Sequence, residues 1–126
     1  MKRINIGILP QSEIRKRTLA IAKGEYKPAA NEPKIWFTSM ESLSKVLNDD
    51  NRALLRVIAD TAPPSITALS KITGQRPGKL SRPLRTMANY GMVELKKENT
   101  RIRPIAKATE FYIVASQDLI GDYHMY

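Results

Sequence analysis

The stretch QRPGKLSRPLRTMANYG, residues 75–91, combines helical spacing with an excess of positive charge. Arg76 and three further cations follow one another at three-residue intervals, and no acidic residue interrupts them. At about 100° per residue, the large apolar side chains fall on one side of a helix and the polar ones on the other. The apolar side holds Leu80, Leu84 and Met87, and the polar side holds Lys79, Arg82, Arg85, Thr86 and Asn89. The pattern predicts an amphipathic helix with one packed side and one exposed, basic side.

Two prolines bear on where this helix begins. Pro77 suits the first turn, because its missing N–H has no helical partner there. Pro83 is less favourable, since a proline inside a helix removes a hydrogen bond, here to the Lys79 carbonyl, and bends the axis. We therefore predict that the regular helix begins at Ser81, which caps it, so that Pro83 stays in the first turn. Arg76 and Lys79 then belong to a looser turn before it.

Three helices are predicted upstream of this stretch, in residues 39–74. Serine and aspartate before each apolar pattern are typical N-caps. The predicted caps are Ser39, then Asp49 or Asp50, then Ser65. In the third helix we expect Ile66, Leu69 and Ile72 to point inward and Gly74 to end the helix.

A two-stranded ribbon is predicted after the basic helix, which Gly91 ends. Residues 92–98 alternate in polarity, Asn99 and Thr100 suit a turn, and residues 101–105 return as a second strand. The ribbon carries Lys96, Lys97, Arg101 and Arg103. Helices followed by a basic helix and a basic ribbon are the layout of a winged helix-turn-helix, in which a helix enters the major groove and the ribbon contacts the flanking backbone. We predict an α+β fold of this kind that binds DNA.

The N-terminal segment predicts a separate strand and helix. Residues 3–9 alternate as a strand, Ser12 is the expected cap of a helix over 13–23, and Gly24 is its stop. Residues 25–33 suit a linker, 34–37 an extended segment and 110–115 a third strand, with Trp36 and Phe37 packed in a core or interface. The predicted organisation is a strand–helix extension at 1–38 for dimerisation or partner binding, a winged helix-turn-helix at 39–115 and a tail at 116–126.

Composition favours a polyanionic partner. The 126 residues carry a net charge of +9 and no cysteine. Residues 71–103 hold nine cations and two acids, and residues 1–38 hold eight cations and three acids. Two basic regions flanking a nearly neutral one form a patterned field suited to nucleic acid. No apolar run approaches the roughly 20 residues of a membrane span, and we expect a cytoplasmic protein.

Several segments resemble a known family. KIWFTSMESLSKVL, NRALLRVIAD, PPSITALSKITGQRPGKLSRPLRTMANYGMVEL and the following RP are similar to a family of bacterial and archaeal transcriptional regulators with MarR-like winged helices. RTLAIAKGEYKP resembles its proteobacterial branch. Pro83 departs from the family pattern, in which an ordinary helix former stands. The resemblance implies an antitoxin of the TumE–TumA type, which represses its own operon and neutralises a toxin.

The predicted site is a DNA interface without a cofactor or metal. Arginine reads guanine and asparagine reads adenine in the major groove, whereas lysine and arginine also hold phosphates. We assign base readout to Arg82, Arg85 and Asn89, and phosphate contacts to the ribbon. The full predicted set is Arg76, Lys79, Ser81, Arg82, Arg85, Thr86, Asn89, Lys96, Lys97, Arg101 and Arg103. A palindromic operator bound by a homodimer is expected, because one such helix reads only a few base pairs.

Other functions stay open at this stage. The basic helix alone would also suit a solvated surface, and the charge would suit a nonspecific architectural or RNA-binding protein. A small basic ribonuclease toxin is less favoured: His124 lies in the tail, and GQRPGK lacks the phosphate-loop spacing. The tail SQDLIGDYHMY has apolar and acidic residues with which it could wrap a basic toxin, or it is a frayed end or a strand-swapped piece of the dimer.

Overall fold

A computed structural model describes residues 2–115 and divides them into two compact units. The first, which we call the sheet unit, contains residues 4–43 and 111–115. The second, the helical unit, contains residues 44–110 with residues 2 and 3. The fold is mixed, with five helices and five strands among the described residues, which agrees with the predicted α+β class. The elements are β1 (Arg3–Ile8), α1 (Gln11–Ala22), β2 (Ile35–Phe37), α2 (Met40–Val46), α3 (Asp49–Thr61), α4 (Ile66–Thr73), α5 (Pro77–Asn89), β3 (Val93–Glu98), β4 (Arg101–Ala106) and β5 (Glu110–Val114).

The sheet unit is built on three strands in the order β2-β1-β5. β1 and β2 run parallel, with Gly7 opposite Trp36. A Cβ built on Gly7 would lie 2.3 Å from Cζ3 of Trp36, so the indole ring rests directly on the glycine. Phe37 is buried, as expected from the sequence. This close approach explains why a glycine stands in the middle of a strand.

An arginine ties the predicted linker to this unit. The Arg17 guanidinium lies 4.8 Å from the centroid of the Trp36 ring and 5.9 Å from that of Tyr26. Its Nη2 donates to Glu32 Oε2 at 2.9 Å. The Asn5 side chain donates to a carbonyl at residue 31. Residues 25–33 lack regular structure, as predicted for a linker, and these contacts hold them against the rest of the sheet unit.

The core of the helical unit is assembled from α3, α4 and α5. Leu55, Leu69 and Leu84 are fully buried, and β3 packs on α5 while β4 packs on α3 and α4. α5 ends in a Schellman motif, because Gly91 N–H donates to the carbonyl of residue 88 and Met92 N–H to that of Met87. Gly91 has a φ of 78°, which a glycine adopts without strain. β3 begins two residues after Gly91, and β4 follows it. The predicted order of a basic helix followed by a two-stranded ribbon is therefore confirmed.

Two predicted caps were wrong. α1 begins at Gln11 with Pro10 at its N-cap, and Ser12 lies inside the helix. The Pro10 carbonyl accepts hydrogen bonds from the N–H groups of residues 13 and 14, so the helix starts two residues earlier than predicted. α3 is capped by Asn48, whose Oδ1 accepts from the N–H of residue 51 at 2.8 Å. Asp49 and Asp50 lie instead in the first turn, where carboxylates favour the positive end of the helix dipole.

The other predicted ends of α2 and α4 are confirmed, with one exception on the buried face. Ser39 and Ser65 each accept from the backbone N–H three residues on, and Gly74 ends α4. Ile72, expected to point inward, is 48% exposed. The buried side of this short helix centres on Leu69, between Ile66 and residue 73, which turns Ile72 toward solvent.

No helix within residues 2–115 has the length and apolar character that crossing a membrane requires.

Candidate nucleic-acid interface

α5 begins earlier than the sequence predicted. Pro77 occupies the first helical position, where its missing N–H has no helical partner, and Arg76 is the N-cap without a side-chain hydrogen bond. Ser81 does not cap the helix, because its hydroxyl donates back to the Pro77 carbonyl at 3.0 Å. Pro83 lies inside the helix, so the prediction that it falls in the first turn was wrong. Burial of Leu80 together with Leu84 keeps the first turns helical and outweighs the missing hydrogen bond.

The two sides of α5 are separated as the wheel predicted. Leu80, Leu84 and Met87 are buried. The polar side is open, apart from Thr86 and Ser81, which are half-buried. Its exposed members are Lys79, Arg82, Arg85 and Asn89, with Arg76 just before the helix. The structure therefore places one row of cations and one amide on a single exposed helix face.

This face lies in a stretch without acidic residues. From residue 61 to residue 93 the chain has five cations and no aspartate or glutamate. Within residues 2–115, no carboxylate lies within 4.0 Å of the cations on α5. Their charge is thus directed to solvent rather than neutralised internally, which is the arrangement that attracts a polyanion.

The β3–β4 hairpin divides its predicted cations between two faces. The register pairs Lys96 with Arg103 and Glu98 with Arg101, and side chains paired in this way share one face. Lys97 pairs with Ile102 on the opposite face. Lys96, Lys97 and Arg101 are exposed, whereas Arg103 is half-buried. The hairpin therefore does not present four equivalent phosphate ligands.

Arg103 differs from the other hairpin cations in having an acidic partner. Its Nε lies 2.7 Å from Glu98 Oε1, which makes an ion pair, but the Nε atom itself is buried and has no hydrogen-bond partner among the described residues. The Arg103 and Glu98 side chains are 39% and 46% exposed. This pair keeps the Arg103 guanidinium on the hairpin, and sequence spacing gave no sign of it.

A groove next to the hairpin tip adds one cation that the predicted set omitted. About 580 Å³ in volume, it lies between the start of α4, the first residue of α5 and the β3–β4 turn. Lys71 and Arg101 line it, together with Thr67 and Thr100. Lys71 is exposed and lies in α4, four residues before the stretch 75–91 that contains the basic helix. Its membership in the basic run 71–103 was the available signal.

Residues 2–115 contain no cluster of three or more histidine, cysteine, aspartate or glutamate residues suited to holding a metal ion. The proposed surface carries cations, an amide and hydroxyls, with the carboxylates of Glu94 and Glu98 on the hairpin. The cations bind anions, and the arginine and asparagine side chains can hydrogen-bond base edges.

Comparison with known proteins places the helical unit in a family. The sequence model of the HVO_A0114 family matches residues 46–113, which is more than half of the chain. No curated protein matches the chain. The matched residues include α3, α4, α5 and the β3–β4 hairpin, and with them every residue of the predicted DNA interface. The chain thus belongs to the HVO_A0114 family.

Proposed function

We propose that the protein is a sequence-specific DNA-binding transcriptional regulator, in which α4, α5 and the β3–β4 hairpin act as a winged helix-turn-helix. The observation that carries this proposal is the exposed face of α5, where Arg82, Arg85 and Asn89 stand without acidic neighbours opposite a fully buried apolar side. A helix that presents arginine and asparagine in this way suits the major groove, since these side chains form bidentate contacts with guanine and adenine.

The hairpin supplies the second half of the proposed interface. Lys96, Lys97 and Arg101 are exposed near its turn, and they contact phosphates beside the groove that α5 enters. Lys79 and Arg76, near the start of α5, contact the DNA backbone beside that end of the helix. Phosphate contacts position the protein, and the contacts from α5 select the sequence.

The resemblance to MarR-like regulators extends this proposal to the biological role. We place the protein as a homodimer on a palindromic operator of its own operon, where it acts as the antitoxin of a neighbouring toxin. Light scattering tests the dimer, since the chain alone has a mass of 14.2 kDa. The predicted toxin-binding tail, 116–126, lies outside the described residues. A truncation after Ala115 that keeps operator binding but no longer rescues cells expressing the neighbouring gene supports the tail's role, and unchanged rescue contradicts it.

Competition binding tests the DNA-binding proposal. A specific duplex is selected from a random pool by the full chain, and its affinity is compared with that of random duplex. Arg85→Ala is expected to cost about 1–3 kcal/mol of binding free energy on the specific duplex and less on random duplex. Lys97→Ala is expected to weaken both duplexes alike and to reduce the salt slope by about one.

Arg56→Ala is the matched control, because it removes an exposed arginine from α3 that the proposed interface does not use. It should change neither affinity by more than about twofold. If Arg85→Ala affects specific and random duplex equally, base readout by α5 is contradicted and a nonspecific architectural role is favoured. Cleavage of RNA by the purified chain would favour the ribonuclease alternative instead.

A further inference from the structure

The Glu98–Arg103 ion pair lies near the turn of the proposed phosphate-binding hairpin. Glu98 is paired with Arg101 across the ladder, and its carboxylate reaches diagonally to Arg103 at 2.7 Å. Both side chains keep access to solvent, although the Arg103 Nε atom that faces Glu98 is buried. A DNA phosphate would therefore approach the exposed part of the Arg103 side chain. Arg103 therefore has two competing anions, one of which is built into the hairpin.

The second acid on this hairpin face makes no such contact. Glu94 lies opposite Ile105, is exposed, and has no cation within 4.0 Å among the described residues. Glu94 and Glu98 thus carry the same charge on the same strand and the same face, but only Glu98 holds a cation. Comparing substitutions of Glu94 and Glu98 therefore distinguishes the effect of the ion pair from the effect of removing one negative charge.

We infer that Glu98 is a specificity-determining residue, which competes with DNA phosphate for Arg103 and so limits sequence-independent binding. The inference rests on the proposed function. Nonspecific affinity comes from phosphates neutralised by cations, so a cation held by an internal carboxylate contributes less to it. In the specific complex the α5 contacts fix the position of the hairpin. A released Arg103 therefore adds less affinity there than on random duplex. Glu98 therefore widens the ratio between specific and random binding.

Removal of the Glu98 charge tests this. Glu98→Gln is expected to tighten binding to random duplex by about two- to fivefold, the range of an exposed ion pair. The slope of log affinity against log salt should steepen by about 0.9, as for one added phosphate contact. Specific duplex should gain less, so that the specificity ratio falls. Glu94→Gln, the matched control, should leave the slope unchanged and tighten random binding less than Glu98→Gln.

A double substitution identifies the cation involved. Arg103→Ala should cost more random-duplex affinity in the Glu98→Gln background than in the wild type, because only there is the guanidinium released. Equal effects of Glu98→Gln and Glu94→Gln, or equal tightening on both duplexes, overturn the inference and leave the proposed function intact. A wild-type chain that binds no duplex overturns both. Thermal melting of each variant checks that the fold is retained.

Discussion

The sheet unit and the helical unit both carry an excess of arginine and lysine, but they use these side chains in opposite ways. In the sheet unit, Arg17 is 11% exposed, hydrogen-bonded to Glu32 and placed over the ring of Trp36. In the helical unit, Arg82 and Arg85 are exposed and have no acidic partner within the described part of the chain. Arginine side chains thus contribute to packing in the sheet unit and to a positive surface charge in the helical unit.

Their difference shows what a count of charges misses. Residues 1–38 carry a clear excess of cations, which by itself would suggest a second DNA-binding surface. The partners of Arg17 show that part of this charge holds the unit together. The acid-free run from residue 61 to residue 93 is the feature that marks α5 as a surface for a polyanion. Local absence of carboxylates is therefore more informative than net charge.

Replacement of Arg17 should give the largest effect and the sharpest test of this contrast. Arg17→Ala leaves Glu32 partly buried without its partner and removes the contact with Trp36. We expect a loss of about 2–4 kcal/mol in the free energy of unfolding, measured by urea denaturation. Arg15→Ala, the control on the same helix, is exposed and should change the value by less than about 0.5 kcal/mol.

Arg85→Ala completes the comparison, because it should leave the free energy of unfolding within about 0.5 kcal/mol while it weakens specific DNA binding. A similar loss of stability for Arg17→Ala and Arg15→Ala would show that the Arg17 contacts contribute no more than a surface charge. The contrast between the units would then be wrong.

Much of the helical unit could be predicted from local sequence, because its elements are defined by caps and periodicity. The buried side of α5, the Ser65 and Gly74 boundaries and the β3–β4 turn all follow from residues close in the chain. The start of α5 could not, since burial of Leu80 outweighs the cost of Pro83 only once the tertiary packing exists. The cost of an interior proline, considered for an isolated helix, therefore led to a predicted start at Ser81, four residues after the observed start at Pro77.

The sheet unit could be predicted only as separate pieces. The strands β1 and β5 were recognised, but their pairing joins residues about 100 positions apart, and no local pattern encodes it. The Arg17 contacts and the Glu98–Arg103 pair were missed for a related reason, since each depends on geometry between elements or across a register. The exposure of the polar side of α5 was predicted correctly, whereas the burial of Arg103 relative to the other hairpin cations was not predicted.

Gly7→Ala tests the close packing of the sheet unit. The added Cβ would lie 2.3 Å from Cζ3 and 2.5 Å from Cε3 of Trp36, so the ring or the strand must shift. We expect a loss of about 1–3 kcal/mol in the free energy of unfolding, as for overpacked cores. In a Trp36→Phe background the smaller ring should remove part of this loss. An equal cost in both backgrounds would show that the ring is not what Gly7 accommodates.

Pro83→Ala should act in the opposite direction within the helical unit. Alanine restores an N–H that can donate to the Lys79 carbonyl, and it relieves the helix of an interior proline. The greater freedom of the unfolded chain offsets up to about 1 kcal/mol of this gain. We expect a net increase of about 1–2 kcal/mol in the free energy of unfolding. Pro77→Ala, at the first helical position, should change it by less than about 0.5 kcal/mol, and a loss of stability in Pro83→Ala would show that packing of the proline ring outweighs the hydrogen bond.

The smallest predicted effects concern two helix ends in the helical unit that share a left-handed backbone but not a residue type. Gly74 ends α4 with a φ of 75°, and Ala62 ends α3 with a φ of 45°. Gly74→Ala has open space around the new Cβ, so its cost of about 1 kcal/mol comes from the backbone alone. Ala62→Gly should instead raise the free energy of unfolding by up to about 0.5 kcal/mol, because relief of strain exceeds the added freedom of the unfolded chain. Gly78→Ala is the control for adding a methyl group, since it lies inside α5 in open space and should stabilise by about 0.5–1 kcal/mol. If Gly74→Ala lowers and Gly78→Ala raises the free energy of unfolding, the difference comes from backbone conformation. Changes of the same sign in both variants would contradict this explanation.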